Sequence, residues 1–233
     1  MAATPSRKTN AHAPLQSAKA RLKGDRKPAA HICPAGGSRK GATQARARET
    51  VDAILEAAAR ILETKGYRAA STNAIARLAG VSVGSLYQYF SSREDIFMAL
   101  RARHRDAIYP VIYAALERLH SDRERPSTVL EGLLQDLLTA HAGRPQLMHA
   151  MDAELTHLLP PEAIREEEEG LAVATRLMAT RIKRPPEEAL ASAWLAGEIT
   201  AMVSRRLAHE PPEWVDVAQV QVAFARVMQA LVG

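Results

Sequence analysis

Two short stretches with helical spacing, residues 73–79 and 83–90, are separated only by Gly80-Val81-Ser82. A three-residue link makes the two segments immediate neighbours that must cross at a steep angle. The first helix must then stop abruptly, and Gly80 supplies the stop because it enters the left-handed backbone region without a Cβ clash. Ser71 or Thr72 stands where an N-terminal cap is needed. In the second segment Leu86 and Phe90 lie about one turn apart and form an anchoring side, with Val81 filling the gap between the helices. Val83, Gly84, Tyr87 and Gln88 occupy the opposite side and are free to meet a groove. This is the pattern of a helix-turn-helix.

The flanking sequence is helical too. Val51, Ile54, Leu55, Ala58 and Leu62 recur at helical spacing from about Arg48, and Gly66 closes that helix after Lys65. Ser91 followed by Glu94 forms a capping-box pair that opens another helix at about Ser92. Beyond it, loop signals fall at residues 120–127, 143–145, 159–161, 184–186 and 210–212, and the segments between them are too long for strands. Pro110 is expected to kink or divide the segment 92–119. Valine and isoleucine never cluster in alternating runs, so the expected fold class is all-α, with about nine helices.

Charge divides the chain unevenly. Residues 1–45 carry a net +8, residues 46–103 a net +3 and residues 104–233 a net −6. A basic front and an acidic rear imply that only the front faces a polyanion. Residues 1–45 mix Ala, Pro, Ser, Gly, Lys and Arg without an apolar period and read as a disordered basic arm. The arm either adds phosphate affinity or is a solvated tail, and composition leaves both open. Cys33 is the only cysteine, which excludes an internal disulfide and the usual cysteine zinc site. No apolar run is long enough to span a bilayer and no secretion signal opens the chain, so a cytoplasmic, nucleoid-associated protein with no membrane partner is expected.

The residues from Ile54-Leu55-Glu56-Ala57-Ala58 through Lys65-Gly66-Tyr67, Ser71-Thr72-Asn73-Ala74-Ile75-Ala76 and Ala79-Gly80-Val81-Ser82-Val83-Gly84-Ser85-Leu86-Tyr87-Gln88-Tyr89-Phe90 to Arg93-Glu94-Asp95-Ile96-Phe97 form one pattern. This run of about fifty residues resembles the N-terminal domain of the tetracycline-repressor family. The resemblance implies a helix-turn-helix DNA-binding domain over residues 46–104, followed by an effector-binding and dimerisation domain over residues 105–233. It places a phosphate contact on Thr72, with Ser82 beside the turn, and base contacts on Val83, Gly84, Ser85 and Gln88. Tyr87, Tyr89 and Arg93 would reach phosphates. Gln88 is the residue suited to a specific pair, because an amide can bond adenine N6 and N7 together. Val83 either touches a thymine methyl or packs within the domain, and the Tyr89 ring could be half core. Arg46 and Arg48, expected just before the first helix, read as non-specific DNA contacts or as a solvated helix start.

The rear of the chain is read with less detail. Ala193, Trp194 and Gly197 in one apolar helix, and Val220, Phe224 and Val227 in the next, are either core or interface. The resemblance favours interface, since the family's last two helices pair with their copies in a homodimer. Met148, Met151, Asp152 and Leu155 are candidates for an effector pocket, although methionine and leucine there are equally ordinary core residues. His149, Asp152 and His157 are spaced too irregularly for a good metal site, so no metal and no cofactor is expected. Glu166 to Glu169 reads as a solvated face. No phosphate loop, nucleophile elbow or zincin motif occurs, which argues against an enzyme. The expected function is a transcriptional repressor released from a palindromic operator by a small-molecule effector. An activator or structural DNA protein without effector is the alternative, and a helical enzyme or carrier would need a catalytic constellation that residues 105–233 lack.

Overall fold

The apolar period around Val51 becomes a long helix, α1 (Lys40–Lys65), in the computed structural model, which describes residues 40–141, 143–209 and 211–233. The helix starts well before the expected residue 48 because the Ala- and Arg-rich stretch that follows Gly41 has no breaker. Arg46 and Arg48 therefore sit on α1 rather than ahead of it, both exposed. Residues 1–39, most of the expected arm, lie outside the described residues.

A 3-10 turn (Tyr67–Ala69) leads into α2 (Thr72–Ala79) and α3 (Val83–Tyr87). Then follow α4 (Arg93–His120), α5 (Pro126–His141), α6 (Pro145–Glu154), a second 3-10 turn (Thr156–Leu158), α7 (Pro161–Ala179), α8 (Pro186–His209) and α9 (Val217–Val232). Every regular element among the described residues is a helix, nine of them α-helices. The fold is all-α.

Two expectations about helix extent need correcting. The second reading-head helix ends at Tyr87, not at Phe90, because Gln88 and Tyr89 donate to the carbonyls three residues back, at 3.2 and 3.0 Å, and tighten the last turn. Pro110 does not divide α4. Proline removes a single backbone donor, whereas both halves of α4 are fixed by packing: Ile96, Phe97 and Leu100 in one core, Ala115, Leu116 and Leu119 in another.

Those two cores organise the molecule. The first joins α1, α2, α3 and the start of α4 around the fully buried Ile54, Ile75, Leu86 and Phe97. It also takes in Leu147, Met151 and Leu155 from α6 and the residue that follows it, so α6 completes the head from outside. The second core joins the end of α4 to α5, α7, α8 and α9 through Val129, Leu130, Leu134, Ala193 and Met228. Each fully buried large side chain contributes roughly 1.5–3 kcal/mol relative to exposure.

Candidate nucleic-acid interface and adjoining cavity

The geometry of the turn follows from its residues. Ser71 caps α2, its hydroxyl accepting from the Ala74 N–H at 3.2 Å, which resolves the choice between Ser71 and Thr72. Gly80 ends α2 at φ 71°, ψ 26°, a left-handed conformation that strains any residue with a side chain. Val81 packs against the core and Ser82 caps α3, its Oγ accepting from the Ser85 N–H at 3.0 Å and lying 2.8 Å from Ser85 Oγ. Both serine hydroxyls are thus engaged in the local cap.

Helix α3 is divided cleanly. Leu86 is wholly buried and Phe90, just after it, is nearly so. Ser82, Val83, Gly84, Tyr87 and Gln88 are exposed, and Ser85 and Tyr89 are half-buried. Tyr89 packs partly on the core, the half-core state its sequence left open. The Thr72 and Tyr87 hydroxyls meet at 3.3 Å across the two helices, a pair of donors placed to share one anionic oxygen. Val83, at 37% exposure, is not part of the head core.

Arg93, the first residue of α4, is held by a cluster absent from the sequence reading. Its guanidinium lies 4.1 Å from the centre of the Tyr67 ring and bonds Glu94 Oε1 at 3.1 and 3.2 Å. Tyr67 donates its hydroxyl to the same oxygen at 2.9 Å. Burial, with the Glu94 carboxylate beside it, pushes the Tyr67 phenol up. A backbone hydrogen bond and the Tyr67 hydroxyl hold the Glu94 carboxyl down. Glu94 is therefore committed to Tyr67 and Arg93, and the cap of α4 shifts by one residue from the expected pair: Ser92 accepts from the Asp95 N–H at 3.0 Å, while Ser91 bonds the Asp95 carboxylate.

Behind the head lies a cavity of about 380 Å³ between α4, α5, α6, α7 and α8. Met148, Met151 and Asp152 line it, as the sequence suggested. Leu155 does not: it is completely buried in the head core, where the end of α6 packs on α1. The α4 wall, where Arg101, His104, Arg105, Ile108 and Ile112 fall at helical spacing on one side, carries no signal in the sequence that marks it as a cavity lining. Glu167, read as part of a solvated acidic face, lines the cavity and pairs with Arg101 at 3.6 Å. His104 stacks on His141 with ring centres 5.8 Å apart. Burial and the neighbouring His141 push the His104 imidazole down to about 4, and burial likewise lowers His141.

The residues weighed for a metal site do not meet. His149 stacks on His209 of α8 at 4.2 Å, while His157 meets the Tyr67 ring edge-on. Nor do the residues proposed for an interface share one environment. Trp194 and Val227 are exposed, and Gly197 and Val220 are half-buried. Ala193 and Phe224 are buried in the second core and are removed from the interface set, since their surface is already covered within the chain.

Helix α6 is fastened to the head at both ends. At its start Arg144 bonds Glu63 at 2.6 and 3.0 Å and Glu56 at 2.7 Å, both on α1. At its end Glu154 Oε2 accepts the Tyr67 N–H at 2.8 Å and lies 3.1 Å from where a Cβ on Gly66 would stand. Gly66 has φ 75°, so space and backbone both favour glycine there. No spacing in the sequence signals these long-range bonds.

Residues 54–100 match the family model described as bacterial regulatory proteins, tetR family. Among curated proteins, the chain is 37% identical over 98 residues to the HTH-type transcriptional activator FasR of Mycolicibacterium smegmatis, covering 42% of this chain and 44% of that one. It is 34% identical over 89 residues to the HTH-type transcriptional repressor BepR of Brucella suis biovar 1, covering 38% and 41%. The matched region thus spans less than half the length of these curated relatives. Among solved structures, a TetR family transcription regulator from Marinobacter aquaeolei aligns over 80% of this chain and 97% of its own, with TM-score 0.56 and 23% identity, a likeness of fold.

Proposed function

We propose that this chain, whose helix-turn-helix head is that of the bacterial regulatory proteins of the tetR family, is a sequence-specific transcriptional regulator acting as a homodimer on a palindromic operator. The observation that carries the reading is the division of α3: Leu86 wholly buried, and Val83, Gly84, Tyr87 and Gln88 all exposed on the other side, free to meet base edges. Val83, Gly84, Ser85 and Gln88 read bases. Thr72, Ser82, Tyr87, Tyr89 and Arg93 set the register on phosphates.

The protein acts as a repressor, and a small-molecule effector releases it from DNA. Met148, Met151 and Asp152 on α6 touch the cavity, and the same helix is bonded to the head through Arg144 and Glu154. A ligand that favours one position of α6 therefore biases the head positions compatible with the operator. The dimer uses the outer side of α8 and α9, where Trp194, Gly197, Val220 and Val227 lie with the exposed Leu190 and Met202. No helix among the described residues is long and apolar enough to cross a membrane, and a cytoplasmic, nucleoid-associated protein fits a DNA ligand.

The test is to map bound DNA across the genome, then measure affinity for the recovered sites. A palindromic consensus bound by two copies supports the reading, and binding without sequence preference ends it. Expression from the same promoters with the gene deleted separates repression from activation, since one curated relative carries each role.

A further inference from the structure

The cavity behind the head is polar at one end and apolar at the other, and the same segregation occurs in four helices. On α4, Arg101, His104 and Arg105 precede Ile108 and Ile112. On α5, His141 lies one turn from Leu137; on α7, Glu167 lies one turn from Leu171; and on α8, Arg205 lies one turn from Ala201. The polar members belong together in space. His104 stacks on His141, Arg101 pairs with Glu167, and His141 feels the charges of both Arg205 and Asp152.

This pole favours an anion. Three arginines outnumber the two carboxylates, Asp152 and Glu167, and neither Arg105, which lies 5.6 Å from the centre of the Tyr109 ring, nor Arg205 takes part in an ion pair among the described residues. His141 is 95% buried by its 5% exposure, yet neither ring nitrogen has a hydrogen-bond partner. A buried donor left unsatisfied destabilises the site, and a ligand oxygen accepting from it would satisfy it. The lining side of α4 from Arg101 to Ile112 runs for about 16 Å at 1.5 Å per residue, so a small anion would leave the apolar end empty.

We propose that the cavity binds an apolar carboxylate, with its head at the arginine-rich pole beside His141 and its hydrocarbon body along Ile108, Ile112, Leu137 and Leu171. Guanidinium groups suit this head, because they bond carboxylate oxygens in pairs. The inference rests on the effector reading for its regulatory meaning, but it concerns the ligand alone.

Titration calorimetry on the full chain without DNA tests it, with decanoate and dodecanoate as probes and decanol and decylammonium as matched neutral and cationic controls. Saturable binding of a carboxylate, about tenfold tighter than decanol and with no binding of decylammonium, is expected. Arg205→Gln and Arg105→Gln should each weaken the carboxylate while leaving decanol unchanged, and thermal melts of both variants show that they are folded. No carboxylate binding, equal affinity for the alcohol or ammonium, or variants that keep the discrimination each overturn the proposal. Operator binding is measured separately. Tight carboxylate binding that leaves DNA affinity unchanged defeats the effector reading but not this one, whereas release of DNA by decylammonium does the reverse.

Discussion

At the scale of single residues, the residues proposed to read bases and those proposed to reach phosphates separate by position. Gln88 is exposed in the tightened turn that ends α3, while Arg93 is held on the Tyr67 ring beyond it. Gln88→Ala should cost on the order of 1–3 kcal/mol and relax preference at one operator position. Arg93→Ala should weaken all sequences about equally. Binding of both variants to a library of singly substituted operators at fixed salt distinguishes these outcomes, and uniform loss from Gln88→Ala would shift the readout to Val83 and Ser85. The histidine pair gives a different residue-scale expectation. His104 and His141 both have lowered pKa values, His104 from 6.5 to about 4 through burial and the charge of His141, with Arg101 adding to the effect and Asp152 opposing it. The unfolded chain therefore binds more protons than the native one between those values, and stability falls as pH drops from 6.5 towards 4. Thermal melts from about pH 7 to pH 5 should show a falling Tm, and His104→Phe, which keeps a ring against His141, should flatten that profile. An equally steep profile in the variant would assign the effect to other groups.

At the scale of elements, α6 joins cavity and head. Glu154→Gln replaces a charge-assisted bond to the Tyr67 N–H by a neutral one at the Gly66 close approach. Basal operator affinity should stay within a few-fold, while the ligand concentration needed for release rises, as read by fluorescence anisotropy of labelled operator. Unchanged release would mean that coupling reaches the head by another route, the through-going α4 being the obvious one. The helices around α6 show where the sequence was legible. Helix periods, the Gly80 stop and the buried Leu86 follow from local spacing, because local backbone preferences and one-sided burial determine them. The extent of α3, the Ser92 cap and the unbroken α4 do not, because Tyr67 and two separate cores outweigh the local signals at Glu94 and Pro110. The cavity was half legible. Met148, Met151 and Asp152 lie on the expected helix, but the α4 wall from Arg101 to Ile112 straddles the expected boundary between head and effector domain, and Arg144 and Glu154 act over more than eighty residues.

At the scale of the whole molecule, burial separates residues that hold one chain together from those available to a second copy. Phe224 is 4% exposed and sits in the second core, whereas Trp194 is 55% and Val227 43% exposed. Leu190 and Met202 flank Trp194 on the same helix and are also exposed, an apolar stripe unusual on a surface that faces water alone. A two-headed reader of a palindrome needs such a stripe covered by its own copy, since a two-fold interface presents the same patch from both sides. Trp194→Glu and Val227→Glu place a charge where the copies would meet and leave the core untouched. Each should give a folded monomer with native helicity and far weaker binding to a full palindrome, but little change for an isolated half-site. Phe224→Glu, by contrast, puts a charge inside the chain and should destabilise the fold itself by several kcal/mol. Sedimentation and circular dichroism on the three variants and the unaltered chain decide the matter. An unaltered chain that is monomeric at micromolar concentration, or exposed-site variants that remain dimeric, would remove α8 and α9 from the interface.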